Sequence, residues 1–263
     1  MTADYRTALV TGASSGIGRA LALWLAARGT TVYAAGRRAE RLQALRDEAA
    51  RGGGRIEPVV LDVGDVEAVR ACVRELDGVD GGLDLVVANA GFGAHTPATD
   101  FRWDLCEKVV RVNVLGAAAT LAAALPGMVE RDRGHLVAIA SLAAFRGLPK
   151  DAAYGASKAF LRSFMESLRV DLQATNVRTT CIFPGFVKSE MTAHNTFRMP
   201  FLLETDAAAA RIGRAILAGK AQYSFPWQLA AFVHFLRVLP TGLYDRIARR
   251  MNPTRARSGS APR

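Results

Sequence analysis

The chain has 263 residues, 50% of them hydrophobic and 22% charged, and 34 Lys and Arg against 24 Asp and Glu leave a net charge of +10. That balance belongs to a folded globular chain with a real core, and it excludes a disordered polymer, a collagen-like repeat and a disulfide scaffold. Cys72, Cys106 and Cys181 are scattered and form no CxxC pair, so a reducing cytoplasm is the expected compartment and no metal site is expected.

Residues 1–6 run directly into a strand-like segment with no cationic and apolar leader, so no export signal is expected. Strands are predicted at 7–11, 31–35, 56–61, 83–88, 135–140 and 177–183, with a weaker one at 221–225. Helices are predicted between them at 17–28, 39–51, 66–76, 103–125, 152–174 and 206–218. The strand runs are nearly all apolar, as strands covered on both faces are. Their alternation with helices predicts an α/β fold, a doubly wound parallel sheet of about seven strands with ligands at the carboxyl ends. No run reaches about 18 uninterrupted apolar residues, so no membrane-spanning helix is expected.

The pattern changes at Pro226. Residues 227–239 are apolar apart from Gln228, His234 and Arg237, Pro240 breaks the run, and 241–251 follow as a short amphipathic helix. A main domain over 1–225, a helical appendage over 226–252 and a basic, disordered tail over 253–263 are expected. Arg246, Arg249, Arg250, Arg255, Arg257 and Arg263 place six of the ten surplus charges in the last eighteen residues.

The first strand leads into Thr11-Gly12-Ala13-Ser14-Ser15-Gly16-Ile17-Gly18, which opens the first helix. Glycines let the backbone approach a pyrophosphate, and free amides at a helix N-terminus attract an anion. The Gly-x3-Gly-x-Gly spacing is not the usual GxGxxG fingerprint, and the plain alternative is a tight strand-to-helix turn. Farther on, Tyr154-Gly155-Ala156-Ser157-Lys158 places a phenol and an ammonium on one helical face. Taken alone, that spacing is a common coincidence.

The glycine turn, Asp62-Val63, Asn89-Ala90-Gly91, Asn113, Ser141, Tyr154 with Lys158, and Pro184-Gly185 occur together in a specific order. On these residues the chain resembles the short-chain dehydrogenase/reductase family, in its short single-domain branch. The resemblance implies a Rossmann-like fold, an NAD(P)-dependent oxidoreductase and a homodimer or homotetramer. It implies a dinucleotide held by Gly12, Ser14, Ser15, Gly16, Ile17 and Gly18, adenine contacts from Asp62 and Val63, and Asn89, Ala90 and Gly91 passing beneath the cofactor. Pro184, Gly185 and Val187 would border the nicotinamide. Ala88 stands where the family usually has a second asparagine, and Ser189 where threonine is more frequent.

The second predicted strand ends Ala34-Ala35-Gly36-Arg37-Arg38, with no acid to receive a ribose 2′-hydroxyl. Arg37 can instead pair with a 2′-phosphate, with Arg38 beside it and Ser14 adding a hydroxyl, which favours NADP(H) over NAD(H). The plain alternative is that both arginines solvate a helix start.

Carbonyl reduction needs a proton donor for the developing alkoxide, and alcohol oxidation needs a base. A lysine cation about 4 Å from a tyrosine, at an effective dielectric of about 20, favours the phenolate by roughly 4 kcal/mol. That is roughly three pKa units. The family resemblance makes Tyr154 the general acid–base, Ser141 the carbonyl polariser, Lys158 the pKa tuner and ribose clamp, and Asn113 a water relay.

His95, His135, His194 and His234 have no metal-ligand spacing; His135 is expected to be structural, and His95 and His194 to be solvated loop histidines, although the resemblance implies that both flank the substrate mouth. Met191, Phe197, Met199, Pro200, Phe201, Leu202 and Leu203 form an apolar loop that suits a lipophilic substrate or a lid, or a subunit contact. Residues 226–263 fit peripheral attachment to an anionic membrane, a cap over the substrate mouth or a dimer contact. The basic residues are not interleaved with aromatics, so nucleic acid is not expected. The expected activity is an NADPH-dependent carbonyl reductase acting on a small carbonyl or alcohol. The alternatives are a cofactor-binding sensor without turnover and an epimerase or dehydratase on the same fold.

Overall fold

The apolar runs become strands β1 (Thr7–Thr11), β2 (Thr31–Gly36), β3 (Arg55–Val60), β4 (Leu85–Ala88), β5 (Gly134–Ile139), β6 (Val177–Pro184) and β7 (Gln222–Phe225). In the computed structural model, which describes residues 5–79, 81–193, 195 and 198–251, they form one sheet in the order β3-β2-β1-β4-β5-β6-β7. Every pairing is parallel. All residues of β1, β4 and β5 are buried, which is why these runs show no polar alternation.

The connections form α1 (Gly16–Ala26), α2 (Ala39–Arg51), α3 (Val66–Asp77), α4 (Trp103–Val110), α5 (Ala117–Glu130), α6 (Ala152–Asp171) and α7 (Thr205–Leu217). On one face, α1, α2 and α7 bury Leu21, Leu25, Leu42, Leu45, Ile212 and Ile216. On the other, α3, α5 and α6 bury Val69, Val73, Leu121, Met128, Leu161 and Met165. Each such side chain contributes about 1.5–3 kcal/mol by leaving water.

Where one helix is predicted over 103–125, α4 and α5 are joined through a π-helical segment, Arg111–Gly116, and the whole extends to Glu130. Gly116 ends this segment pressed against the β3 connection, where a Cβ would lie 2.2 Å from the Val63 carbonyl oxygen. By length and composition alone this composite Trp103–Glu130 helix could cross a membrane, although its apolar residues are interrupted by Asp104, Glu107, Lys108 and Arg111. Its second half instead buries Ala117, Leu121, Ala124 and Met128 in the core.

Among the described residues two helices follow β7: α8 (Trp227–Val238) and α9 (Thr241–Met251). Ala230, Val233 and Leu236 turn inward on α8, whereas Trp227, Phe232, Phe235 and Val238 are exposed. His234 stacks on Phe145 at 4.4 Å between ring centroids, and the Tyr244 hydroxyl donates to the Gly147 carbonyl. The pair therefore packs on the loop that follows β5. The expected tail over 253–263 lies outside the described residues.

His135, the second residue of β5, is fully buried, with Nδ1 2.8 Å from the Tyr5 hydroxyl and Nε2 2.8 Å from Thr180 Oγ1. Burial, and next the charge of Arg178, push its pKa down to about 3 from 6.5. Between these values the unfolded chain binds the extra proton, so this contribution to stability is complete above pH 6.5 and is lost as pH falls. Thermal melts from pH 7.5 to about 5 should show a steeper loss of Tm in the wild type than in His135→Gln. Parallel slopes would contradict this account.

Candidate active site

The strand order reverses between β1 and β4, so their connections leave toward opposite sides and open a crevice at the carboxyl edge. Thr11, at the end of β1, ties the two strand ends together. Its hydroxyl accepts from the Asn89 and Ala90 amides, each at 3.1 Å, and Asn89 Nδ2 donates to the Thr11 carbonyl at 2.8 Å.

This tie accounts for two of the three glycines. A Cβ on Gly12 would lie 2.8 Å from Ala90 Cα, and one on Gly18 would lie 2.3 Å from Asn89 Nδ2. Gly12 and Gly18 are thus demanded by packing of the turn on 89–91. Gly16 differs: its φ is +53°, and the nearest atom to an added Cβ is Ser189 Cβ at 3.4 Å. Ser15 precedes α1 in an extended conformation with its side chain capping nothing, and the first turn carries no acid. With Ile17 inside that turn, the positive end of α1 suits an anion.

Beside this turn the structure places Arg38 closer than Arg37. Arg38 donates to Ser14 Oγ from Nε at 3.1 Å and from Nη2 at 3.0 Å, to Ser15 Oγ at 2.7 Å, and to Glu190 at 2.9 Å. Arg41 also pairs with Glu190. Arg37 points to Asp62, at 3.9 Å, with both side chains largely exposed. Asp62 Oδ1 accepts from the Gly64 amide at 2.9 Å, and Val63 is buried in the core. A cavity of about 310 Å³ lies between Ser14, Ser15, Gly16, Arg19, Arg41 and Glu190. Guanidinium groups, the hydroxyls that they hold and an uncapped helix end fit a phosphorylated dinucleotide.

The acid–base candidates meet at the end of β5. Ser141 begins a short 3-10 turn, Leu142–Ala144, and accepts from the Ala143 amide at 3.2 Å. Its hydroxyl is near enough to the Tyr154 phenol to act on its pKa, and Tyr154 lies half-buried in the first turn of α6. Lys158, fully inside, donates from Nζ to the Ile139 carbonyl at 2.9 Å and lies 5.7 Å from the Tyr154 ring centroid. Asn113, in the π-helical segment, accepts from the Phe92 amide at 2.7 Å and donates to Ser157 Oγ at 3.0 Å. A Cβ on Gly91 would lie 3.6 Å from both Asn113 Oδ1 and Lys158 Nζ, so the glycine keeps a gap above these groups.

The expected lowering of the Tyr154 pKa by its lysine is not what this arrangement produces. Burial raises the Tyr154 pKa, the Ser141 hydrogen bond pulls it back, and Asp151 pushes it up again. Burial also brings Lys158 down to about 8, and its proton is directed at the β5 carbonyl. Spacing along a helix brought the two side chains to one face but did not aim the ammonium at the phenol.

Pro184 closes β6, and Gly185 donates to the Phe225 carbonyl at 2.7 Å; a Cβ there would lie 2.9 Å from Leu229 of α8. Val187 is buried and bridges Leu203. The Ser189 amide donates to Thr192 Oγ1 at 3.0 Å. Asp151, which the sequence reading did not single out, pairs with His95 at 2.9 Å, three residues before Tyr154. A histidine across the crevice gave no sequence signal for it. His194 and Phe197 lie outside the described residues. Among the described residues no cluster of metal-ligating side chains occurs.

Residues 6–198 match the short chain dehydrogenase family model. A Myxococcus xanthus protein described as an uncharacterized oxidoreductase is 61% identical over 248 residues, 94% of this chain and 98% of that protein. The closed form of a serine dehydrogenase complexed with NADP+ superposes with a TM-score of 0.74 at 30% identity, covering 84% of this chain and 95% of the other. An alcohol dehydrogenase from Thermococcus sibiricus, complexed with 5-hydroxy-NADP, gives a TM-score of 0.75 at 25% identity, over 83% and 94% of the two chains. With the fold, the crevice and these relatives in agreement, this chain is an oxidoreductase and belongs to the short-chain dehydrogenase/reductase family.

Proposed function

We propose that the protein reduces a carbonyl group with NADPH, or oxidises the corresponding alcohol in reverse, and that its substrate is lipophilic. The observation that carries this reading is the convergence of Tyr154, Ser141 and Lys158 at the carboxyl edge of β5, with Lys158 Nζ 5.7 Å from the Tyr154 ring centroid. The nicotinamide supplies the hydride when bound. Tyr154 gives its phenolic proton to the developing alkoxide, and its raised pKa keeps that proton in place at neutral pH. Ser141 offers a second hydroxyl to the same oxygen. Lys158 holds a positive charge under the tyrosine and reaches toward the Gly91 gap, where a ribose hydroxyl would lie. Asn113 uses its carboxamide to join the 89–93 turn to α6, which makes it a positioning residue.

Phosphate preference is supported by Arg38 and Arg41 at the glycine turn and by the NADP bound in the serine dehydrogenase relative. The lipophilic preference rests on the loop after β6, where Met191, Phe201 and Leu202 are exposed, with Met191 over Gly93. The α8–α9 pair reads as a cap, because it packs on the loop that carries Ser141 toward Tyr154.

A screen of NADPH oxidation over ketones and aldehydes with acyl-chain, steroid and aromatic members, with product analysis, tests this. The expected result is net reduction with kcat/KM rising as apolar surface is added to the substrate. Isomerised or dehydrated product without net NADPH consumption would replace the reductase with an epimerase or dehydratase.

A further inference from the structure

We propose that Glu190 is a specificity-determining residue: an internal carboxylate that occupies the Arg38–Arg41 pair until the phosphate of a phosphorylated dinucleotide displaces it. This rests on the NADPH reading above and adds to it a competitor built into the chain.

The contact is far from local. Arg38 leaves the end of β2 and Arg41 lies on α2, whereas Glu190 follows β6. In the sheet, β1, β4 and β5 separate β2 from β6. For Glu190 to reach the two arginines, its segment must cross the mouth of the crevice, and its neighbours mark the route. Ser189 Cβ lies over Gly16 in the first turn, and Met191 Cγ and Sδ lie 3.1 Å from where a Cβ of Gly93 would stand. The strap is braced at its own base by Thr192, whose hydroxyl donates to the Val187 carbonyl at 2.8 Å.

The group that Glu190 completes is suited to a larger anion. Arg38 directs its guanidinium at two hydroxyls, Ser14 and Ser15, and at one carboxylate oxygen, while Arg41 takes the other carboxylate oxygen. Two cations and two hydroxyls match a phosphate dianion, with three acceptor oxygens, better than a single carboxylate. Both arginines hold the Glu190 carboxyl down at about 2, so it is ionised throughout the physiological range. Side-chain exposures of 39%, 51% and 54% for Arg38, Arg41 and Glu190 keep the pairing solvated and reversible. A dinucleotide without the phosphate has nothing to offer the arginines and leaves Glu190 where it is.

The test is calorimetric titration of the full chain with 2′,5′-ADP, 5′-AMP, NADPH and NADH, for wild type, Glu190→Gln and Glu204→Gln. Glu204 pairs with Lys188 at 3.2 Å and serves as a control for loss of the same charge. Removing an exposed ion-pair competitor should tighten 2′,5′-ADP and NADPH about threefold to tenfold in Glu190→Gln, with 5′-AMP and NADH within about twofold. Glu204→Gln should leave all four unchanged. Amides in 187–193 should also exchange hydrogen faster in free Glu190→Gln than in the free wild type. Unchanged affinity for 2′,5′-ADP in Glu190→Gln, or equal tightening in Glu204→Gln, overturns the proposal. If the wild type itself binds 2′,5′-ADP no better than 5′-AMP, the NADPH reading fails first and takes this one with it.

Discussion

Replacing Tyr154 by phenylalanine is expected to lower kcat about 10²- to 10⁴-fold while NADPH affinity stays within about twofold. The change removes one hydroxyl and keeps the ring, so the packing of α6 is retained. What disappears is the phenolic hydroxyl with its proton, the group whose pKa Ser141 pulls back. Because burial raises the Tyr154 pKa, the residue starts as a neutral acid, which suits reduction more than oxidation at neutral pH. The pH profile carries a second signature. Lys158, brought down to about 8, is charged below that value and loses its charge above it. The charged ammonium proposed to hold a ribose hydroxyl is therefore present at neutral pH and fades as pH rises past about 8, so kcat/KM for reduction should fall there. Lys158→Met should remove this limb, and steady-state rates from pH 6 to about 10 would show it. Turnover close to wild type in Tyr154→Phe would end the acid–base assignment.

Arg38→Asp is expected to weaken NADPH binding about 10²-fold, with NADH binding little changed, because a charge-assisted phosphate contact is replaced by repulsion. Arg37→Asp should do much less. By sequence, Arg37 is the expected phosphate partner, the first cation after the second strand. The structure separates the neighbours: Arg38 bonds Ser14 and Ser15 of the glycine turn, and Arg37 leans outward to Asp62. Equilibrium titration of both variants with both cofactors decides between them, and a larger loss in Arg37→Asp would restore the first assignment.

Much of the fold was legible because it is written in local periodicity. Strands β1, β4 and β5 are buried throughout, so their apolar runs stand out from the amphipathic helices around them. Tyr154 and Lys158 could be placed on one face because α6 is regular there. The π-helical turn at Arg111–Gly116 had no such signature, and the close approach of Gly116 to the Val63 carbonyl joins segments over fifty residues apart. The role of Gly12 and Gly18 was half visible. Their spacing announced a turn, but that they are required by Asn89 and Ala90 emerges only when β4 lies beside β1.

By itself, the sequence determined the alternation of strands and helices, the glycine turn at the end of β1 and the helical pairing of a phenol with an ammonium. Each is set by residues near one another along the chain, whose spacing alone decides which face they share. The tertiary structure decided which arginine meets the glycine turn, that Glu190 crosses to it, and that Lys158 donates to Ile139 while burial raises Tyr154. Those outcomes depend on side chains from distant strands converging at one sheet edge, and on the loss of water there, which no local pattern encodes.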